Sequence, residues 1–544
     1  MANKEKIENL VKELARQRIK SSEDFLNLVK NLTKKYQITS PSNVEILESY
    51  KSLRSRKKIR QNPYFEKLLK KRPIRSLSGV AVVSVLTKPY PCPGDCLYCP
   101  IEKGIPKSYL SGEPAVERAK KLKYDPYQQV KKRIEVLQKI GHSTDKIELI
   151  IIGASWTAYP KKYQEWFIKR CFQAANEANS KFQIPNSKNL EEVQRRNERA
   201  KNRIIGISVE TRPDLITPEE IKRMRELGIT RIELGVQALD EKILAKNQRG
   251  HGIKEIVEAT RLLKEAGFKI CYHWMPNLLG SNPKKDLMMF KKLFSNPSFQ
   301  PDYLKIYPCV VTKGSKLYQL WCRKKYKPYS DKTLIELLIK MKKIVPPYLR
   351  IIRIFRDIPS SKILGGTKIS NLHQVVKKEM TRRGLRCCCI RCREIKDWKL
   401  EMRNLKLVKR EYKASDGKEI FLSFEDKEQD KILAFLRLRL TLSLPNYESK
   451  RITNVLSVLK NAAIIRELHT YGELVEIGKK KKGAPQHKNL GKKLVKEAEK
   501  IVRRSKFADN FRISRIAVIS GIGSREYWKK LGYKLQETYM IKNI

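Results

Sequence analysis

Between residues 76 and 320, six short apolar runs (80–86, 147–152, 204–209, 231–236, 268–274 and 303–311) alternate with segments of helical periodicity such as 128–140, 218–227 and 253–266. Each connection is long enough to hold a helix, so successive strands are expected to pair in parallel. A parallel sheet built this way closes into a full or partial (β/α) barrel. The chemistry of such a barrel lies at the carboxyl ends of its strands.

The first run leads into Cys92-Pro-Gly-Asp-Cys96-Leu-Tyr-Cys99, three thiols spaced C-x3-C-x2-C. Three close thiolates can hold an iron–sulfur cluster while leaving its fourth iron without a protein ligand, whereas structural zinc and ferredoxin sites fill every position. The competing reading is a zinc clip with a distant fourth ligand; no His or Cys follows before His142. The spacing, with Tyr98 before the third thiol, resembles the radical S-adenosylmethionine superfamily. That resemblance implies a [4Fe–4S] cluster on Cys92, Cys96 and Cys99 whose free iron binds S-adenosylmethionine, which an injected electron cleaves to a 5′-deoxyadenosyl radical. It also implies a glycine turn for the cofactor's amino group, of which Gly153 remains, and strand-end roles for Glu210 and Gln237. Glu233 sits inside a strand, where a carboxylate is costly unless paired. A functional role and a salt bridge to Arg231 or Arg212 both stay open for it. His273 ends a further strand, where a satisfied core histidine is the commoner case.

The chain has 117 Lys and Arg against 57 Asp and Glu, a net charge of +60. Such an excess calls for a polyanionic partner, and nucleic acid leads. Residues 5–36 read as two amphipathic helices with a start signal at Ser21-Ser22. From Lys51 to Arg75 there are eleven basic residues and one acidic one, Glu66, with Tyr64 and Phe65 interleaved. A basic surface with aromatic platforms suits folded RNA, which makes Arg54, Arg56, Lys57, Lys58 and Arg60 the expected contacts. With no run of 18 apolar residues and no amino-terminal apolar signal, a cytoplasmic protein without a membrane partner is expected. Clustered cysteines point to metal ligands in a reducing compartment. The second cluster, Cys387, Cys389 and Cys392, follows a helical stretch at 371–383 and suits a structural zinc, with His373 or Cys388 as fourth ligand.

After residue 410 the pattern turns β-rich, at 419–424, 432–442 and 462–469. Then Gln486-His487-Lys488-Asn489-Leu490-Gly491 opens an amphipathic helix. This resembles the coenzyme A turn of Gcn5-related acetyltransferases, in which backbone N–H groups and a helix amino terminus hold pyrophosphate. Asn489 stands where a glycine is usual, and Asn tolerates positive φ. A strand at 513–519 and the run Tyr527-Trp528 to Gly532-Tyr533 follow in the family's order. Lys479 to Lys482 are placed to meet a phosphate, although a solvated loop explains them as well. The division expected is a basic helical region at 1–75, a radical domain at 76–370, a Cys-rich linker at 371–410 and an α+β acetyltransferase domain at 411–544.

Joined in one chain, these halves resemble the catalytic subunit of the Elongator complex and its stand-alone archaeal and bacterial relatives. The runs that carry the likeness include Gly206-Ile-Ser-Val-Glu-Thr-Arg-Pro-Asp214, Asn247-Gln-Arg-Gly-His251, Leu304-Lys-Ile-Tyr-Pro308 and Arg466-Glu-Leu-His469. The resemblance implies a tRNA-modifying enzyme that builds 5-carboxymethyluridine at the wobble position. Acetyl-CoA would be held by Glu467, Leu468, His469, Gln486, His487, Lys488, Asn489, Leu490, Gly491 and Tyr527, with Tyr527 and Glu210 as catalytic residues. The radical would take a hydrogen from the acetyl methyl, and the carbon radical would add to C5 of uridine. The chain is expected to work without accessory subunits and to be able to form a homodimer. A protein lysine acetyltransferase with a structural cluster is the alternative. Three departures from the family pattern are Asn489, the pair Tyr527-Trp528 where two tyrosines are common, and a cluster spacing shorter than the eukaryotic form.

Overall fold

The structure is a computed structural model that describes residues 2–17, 19–70, 78–178, 189–395, 404–441, 452–472, 489–505 and 513–544. Its centre is a sheet of seven parallel strands in sequence order: β1 (Ala81–Leu86), β2 (Lys146–Ile152), β3 (Arg203–Thr211), β4 (Arg231–Gln237), β5 (Lys269–Trp274), β6 (Tyr303–Ile306) and β8 (Arg350–Ile354). It forms the expected partial (β/α) barrel. Strand alternation sorts the two faces. Ala81, Val83 and Val85 of β1, with Ile147, Leu149 and Ile151 of β2, are buried among the apolar core. Helix Pro126–Lys139, capped by Asp125, packs on β1, and helix Lys161–Glu177 packs on that helix and on β3. The opposite face carries Glu148, Arg231, Glu233, Lys269 and Lys305, so the lumen is polar.

Two strands of the barrel differ from the sequence reading. The apolar run at 303–311 breaks after Ile306. Residues 311 and 312 instead form β7 (Val311–Thr312), which pairs with β9 (Ile363–Gly365) in a separate two-stranded sheet. The seventh barrel strand, Arg-Ile-Ile-Arg-Ile, escapes an apolar search because the polar lumen tolerates its arginines.

The amino-terminal helices Ala2–Arg16, Ser22–Lys35, Asn43–Ser55 and Pro63–Leu69 enclose their own core around Leu10, Phe25, Ile46, Tyr50 and Phe65. The start expected at Ser21-Ser22 is a capped one: the Ser21 hydroxyl accepts from the Asp24 N–H at 3.0 Å.

A second seven-stranded sheet has the order β10 (Leu405–Ala414), β11 (Gly417–Asp426), β12 (Lys431–Thr441), β13 (Ala462–Thr470), β14 (Arg515–Val518), β16 (Tyr539–Asn543) and β15 (Lys534–Gln536). β10 begins within the stretch read as linker. All its pairs are antiparallel except β13 with β14, which run parallel only over Ala462–Ile465 and Arg515–Val518. Beyond that register the two strands part. Helix Leu490–Ser505 lies across this sheet, packed on β11, β12 and β13.

The two sheets meet through buried charge and a close backbone approach. Arg466 Nη1 reaches Asp302 at 3.0 Å and Glu419 at 2.8 Å, and Arg437 Nη2 donates across the interface to the Tyr348 carbonyl at 2.8 Å. At Gly521 a Cβ atom would fall 2.1 Å from the Ile205 carbonyl oxygen, although its φ of −73° suits any residue. The only obstacle to a side chain there is the interface. Gly521→Ala is therefore expected to cost about 1–3 kcal/mol as overpacking, read as a lower urea midpoint. An unchanged midpoint would show that the contact is not tight.

Among the described residues, no helix is long and apolar enough to cross a membrane.

Candidate active site

The thiol loop leaves the carboxyl end of β1, as the alternation of strands and helices requires. Cys96 is buried, and its sulfur accepts a hydrogen bond from Arg249 Nη1 at 3.0 Å. The same guanidinium holds the Tyr98 hydroxyl at 2.9 Å and the Gly235 carbonyl. A hydrogen bond from Cys99 leads in drawing the Cys96 thiol down; burial opposes it, and Arg249 and Arg212 add their charge. Arg212 is buried too. Its Nη1 has no hydrogen-bond partner and abuts Gly94, where a Cβ would meet it at 1.9 Å. Arg212 is ion-paired to Asp214 through Nε and Nη2, so Nη1 is its one free donor; that donor and the Arg249 guanidinium beside Cys96 suit an anionic metal–sulfur group, and the loop fits the cluster expected for it.

Beside Cys99 opens a cavity of about 190 Å³ at the carboxyl ends of the strands, lined by Gly153, Glu210, Gln237, His273, Lys305 and Tyr307 among others. Gly153 has φ +140°, and a Cβ there would lie 2.0 Å from Thr87 Oγ1, so glycine is required by both conformation and space. Its N–H points to Glu210 Oε2 at 3.4 Å, and the Tyr109 hydroxyl donates to the same oxygen at 2.9 Å. Gln237 adopts φ +69°, and its buried Oε1 lacks a partner, leaving an acceptor at the cavity wall.

Glu233 resolves into an ion-paired group. It bonds His273 Nε2 at 2.9 Å and Ser208 at 3.0 Å, lies 3.6 Å from Arg231, and pairs closely with Lys305. Burial works against its ionisation, but Lys305 and then His273 outweigh it and hold the carboxyl well below its usual range. Arg231, Ser208, Glu233, Lys305 and Glu210 thus connect in series and fill the lumen. His273 faces the cavity as the partner of Glu233. Arg249, Lys305 and Tyr109 were not singled out from the sequence, and Arg212, one of the two partners expected for Glu233, pairs instead with Asp214 at 3.0 Å. Arg249 and Lys305 stood inside runs quoted only for likeness, and Cys96 and Arg249 are 153 residues apart.

At the opposite end of the same lumen, between the strand beginnings and the parting of β13 and β14, lies a larger cavity of about 690 Å³. Leu468, His469, Asn489, Gly491 and Tyr527 line it, facing Arg231, Lys269 and Tyr303 of the barrel. Asn489 takes φ +55°, the conformation its glycine-like position requires, immediately before helix Leu490–Ser505. Gln486, His487, Lys488 and Lys479 to Lys482 lie outside the described residues. Leu490 is buried in the core. The Glu467 side chain is engaged with Arg437 and Tyr303, and the His469 Nε2–H donates to the Ser78 carbonyl at 2.8 Å. Tyr527 is 36% exposed, and burial alone pushes its hydroxyl up to about 12, so it stays protonated.

Cys387, Cys389 and Cys392 bring their sulfurs within 4.8 Å of one another. Tetrahedral zinc with Zn–S near 2.3 Å sets thiolates about 3.8 Å apart, so a single ion fits. Hydrogen bonds from Cys387 and Cys389 draw the Cys392 thiol down, with His373 and Lys342 contributing in turn. His373 adjoins Cys392 but lies outside the group of three, and Cys388 is exposed and outside it as well.

Of the expected RNA contacts, Arg54 pairs with Glu66 at 2.9 Å and Arg56 pairs with Glu8 at 2.5 Å. Lys57, Lys58 and Arg60 are exposed.

Residues 90–293 match the radical SAM superfamily, and residues 301–382 match the radical SAM C-terminal domain. The tRNA uridine(34) acetyltransferase of Methanocaldococcus infernus is 44% identical over 520 residues, 93% of this chain and 92% of that one. Elongator complex protein 3 of Homo sapiens is 37% identical over 494 residues, 88% of this chain and 86% of its own. The solved archaeal Elp3 of Methanocaldococcus infernus, with residues 1–46 deleted, superposes with a TM-score of 0.72 at 41% identity, covering 86% of this chain and all of that one. Seven parallel strands bearing the thiol loop, a second mixed sheet docked beneath them, and this identity along nearly the whole length place the chain in the radical SAM family of tRNA uridine(34) acetyltransferases and Elongator complex protein 3.

Proposed function

We propose that this chain is a tRNA-modifying acyltransferase that forms 5-carboxymethyluridine at the wobble uridine, using acetyl-CoA and S-adenosylmethionine. The observation that carries the reading is the placement of two cavities at the two ends of one barrel, the thiol loop at one and the opened β13/β14 pair at the other. A [4Fe–4S] cluster held by Cys92, Cys96 and Cys99 would supply the electron for reductive cleavage of S-adenosylmethionine. The Gly153 turn and the unpartnered Gln237 Oε1 offer acceptors to that cofactor's amino group. Glu210, anchored by Tyr109 and lying 3.6 Å from Lys305, orients what enters the upper cavity. At the lower end, the backbone of Glu467, Leu468 and His469 faces the opening between the strands, and the turn at Asn489, Leu490 and Gly491 receives the pyrophosphate. Gln486, His487 and Lys488 complete that turn in this reading. Tyr527, protonated at neutral pH, donates to the departing sulfur or to the acyl oxygen. Exposed Lys57, Lys58 and Arg60 contact tRNA phosphates, with Arg54 and Arg56 available once their surface ion pairs open, which costs little. Cys387, Cys389, Cys392 and His373 hold a structural zinc, and the chain acts without accessory subunits.

The deciding experiment incubates anaerobically reconstituted protein with tRNA, S-adenosylmethionine, reductant and methyl-labelled acetyl-CoA. Label is expected in uridine; label on protein lysines with none in uridine would overturn the reading. Metal analysis is expected to find about four iron and one zinc per chain. Cys389→Ser should lose the zinc and keep the iron, and a variant that retained zinc would refute this ligand set.

A further inference from the structure

Trp166, on the outer face of helix Lys161–Glu177, is 43% exposed, whereas Trp156 and Trp274 are 1% exposed. Its ring begins a ladder. Trp166 and Tyr163 lie 5.6 Å apart between ring centres, Tyr163 and Tyr159 stack at 5.0 Å, and Tyr159 meets Tyr90 at 4.9 Å. The inner end is fastened to the strand-to-thiol connection: the Tyr159 hydroxyl donates to the Lys88 carbonyl at 2.7 Å and lies 2.8 Å from Thr87 Oγ1. Ser155, in the turn leading to Tyr159, has its Oγ 3.8 Å from Cys92 Sγ. A continuous file of packed rings thus runs from solvent to the loop of the first thiol. The inner rings are packed in the fold, and the outer one ends at solvent.

The surface around Trp166 is basic. Lys161 and Lys162 are exposed, Lys88 Nζ sits 4.9 Å from the Tyr163 ring centre, and Glu165 is the one carboxylate among residues 160–170.

We propose that this patch docks the electron donor, a small acidic protein carrying a low-potential one-electron group, and that the ladder is the medium between that group and the cluster. The proposal rests on the radical reading above. The electron balance is simple: the carrier is oxidised by one electron, the cluster is reduced by one, and no bond or proton is exchanged. The rings are not themselves reduced. Packed without a gap, they only shorten the through-space part of the transfer. Positive charge around an exposed aromatic anchor supplies encounter and grip for an acidic carrier. An RNA platform would need free ring faces, yet Tyr159 and Tyr163 stack on each other.

The test uses the reconstituted holoenzyme and reduced flavodoxin as probe. Cluster bleaching is followed by stopped flow, and binding by fluorescence anisotropy. Trp166→Ala and the charge reversal Lys161→Glu/Lys162→Glu should each slow flavodoxin-driven bleaching about tenfold or more and weaken flavodoxin binding, and the charge reversal should flatten the ionic-strength dependence. Bleaching by dithionite, which needs no docking, should stay at the wild-type rate. Wild-type flavodoxin rates in both variants would overturn the proposal, as would weakened tRNA binding with unchanged flavodoxin reduction, which would mark the patch as an RNA surface. The dithionite arm tests the radical reading separately: no S-adenosylmethionine cleavage with dithionite in the wild type would defeat that reading rather than the docking site.

Discussion

Cys96→Ala is expected to reduce labelled uridine by about a thousandfold or more, the scale seen when one member of a unit that acts together is removed. Iron content and 5′-deoxyadenosine formation should fall with it. The protein should still fold, because the fully buried Arg249 keeps its bonds to the Tyr98 hydroxyl and the Gly235 carbonyl when the sulfur goes. On the proposed reading, thioester cleavage at the second sheet does not involve this residue and should persist, which separates the two half-reactions. Labelled uridine above a tenth of the wild-type yield would show that the thiol loop is not the radical source.

The largest effect on stability is expected from Asp302→Ala. Asp302 is completely buried, accepts from Arg466 Nη1 at 3.0 Å and from the Ile270 N–H at 2.9 Å, and lies 3.6 Å from both Lys264 and Arg437. Burial opposes its ionisation, but Arg466, Lys264 and Arg437 hold the carboxyl well below its usual range. Removing it leaves Arg466, Arg437, Arg439 and Lys264 buried with Glu419 and Glu467 alone. Breaking such a group by deleting one partner costs about 3–5 kcal/mol, read from urea unfolding. The double variant Asp302→Ala/Arg466→Met should recover much of that loss, because the uncompensated charge goes with the arginine. A single-variant loss below about 1 kcal/mol would mean the network is not what joins the sheets.

Lys264 adds a pH signature. Burial first, and Arg466 second, push its amine down to about 8. As pH rises from there toward the unfolded value near 10.4, the unfolded chain binds a proton that the folded chain has released. Stability from this group therefore rises with pH across that window.

Much of the fold was legible because its signals are local. Six of seven barrel strands announce themselves as apolar runs between helices, and the three thiols lie within eight residues. Asn489 was legible in the same way, since a side chain that tolerates positive φ stands where the turn needs one. Other features were hidden for stated reasons. β8 carries arginines on the side that faces a polar lumen. β6 is shorter than its apolar run, because residues 311 and 312 pair with β9. Glu233 left two readings open, since its partners Lys305 and His273 stand 72 and 40 residues away.

The sequence by itself determined which parts are present: a set of three close thiols, a second thiol group, a turn with Asn489 in a glycine-like position and a surplus of positive charge. Each is a pattern of a few neighbouring residues, where spacing alone limits what can be held. Only the tertiary structure decided how these parts are joined. It set Arg249 against Cys96, filled the lumen with an ion-paired series between two cavities, and bound the sheets through Asp302 and Arg466, which are 164 residues apart. The physical reason is that a buried charge persists only where partners from other strands and helices meet it, and those meetings are fixed by packing rather than by order along the chain.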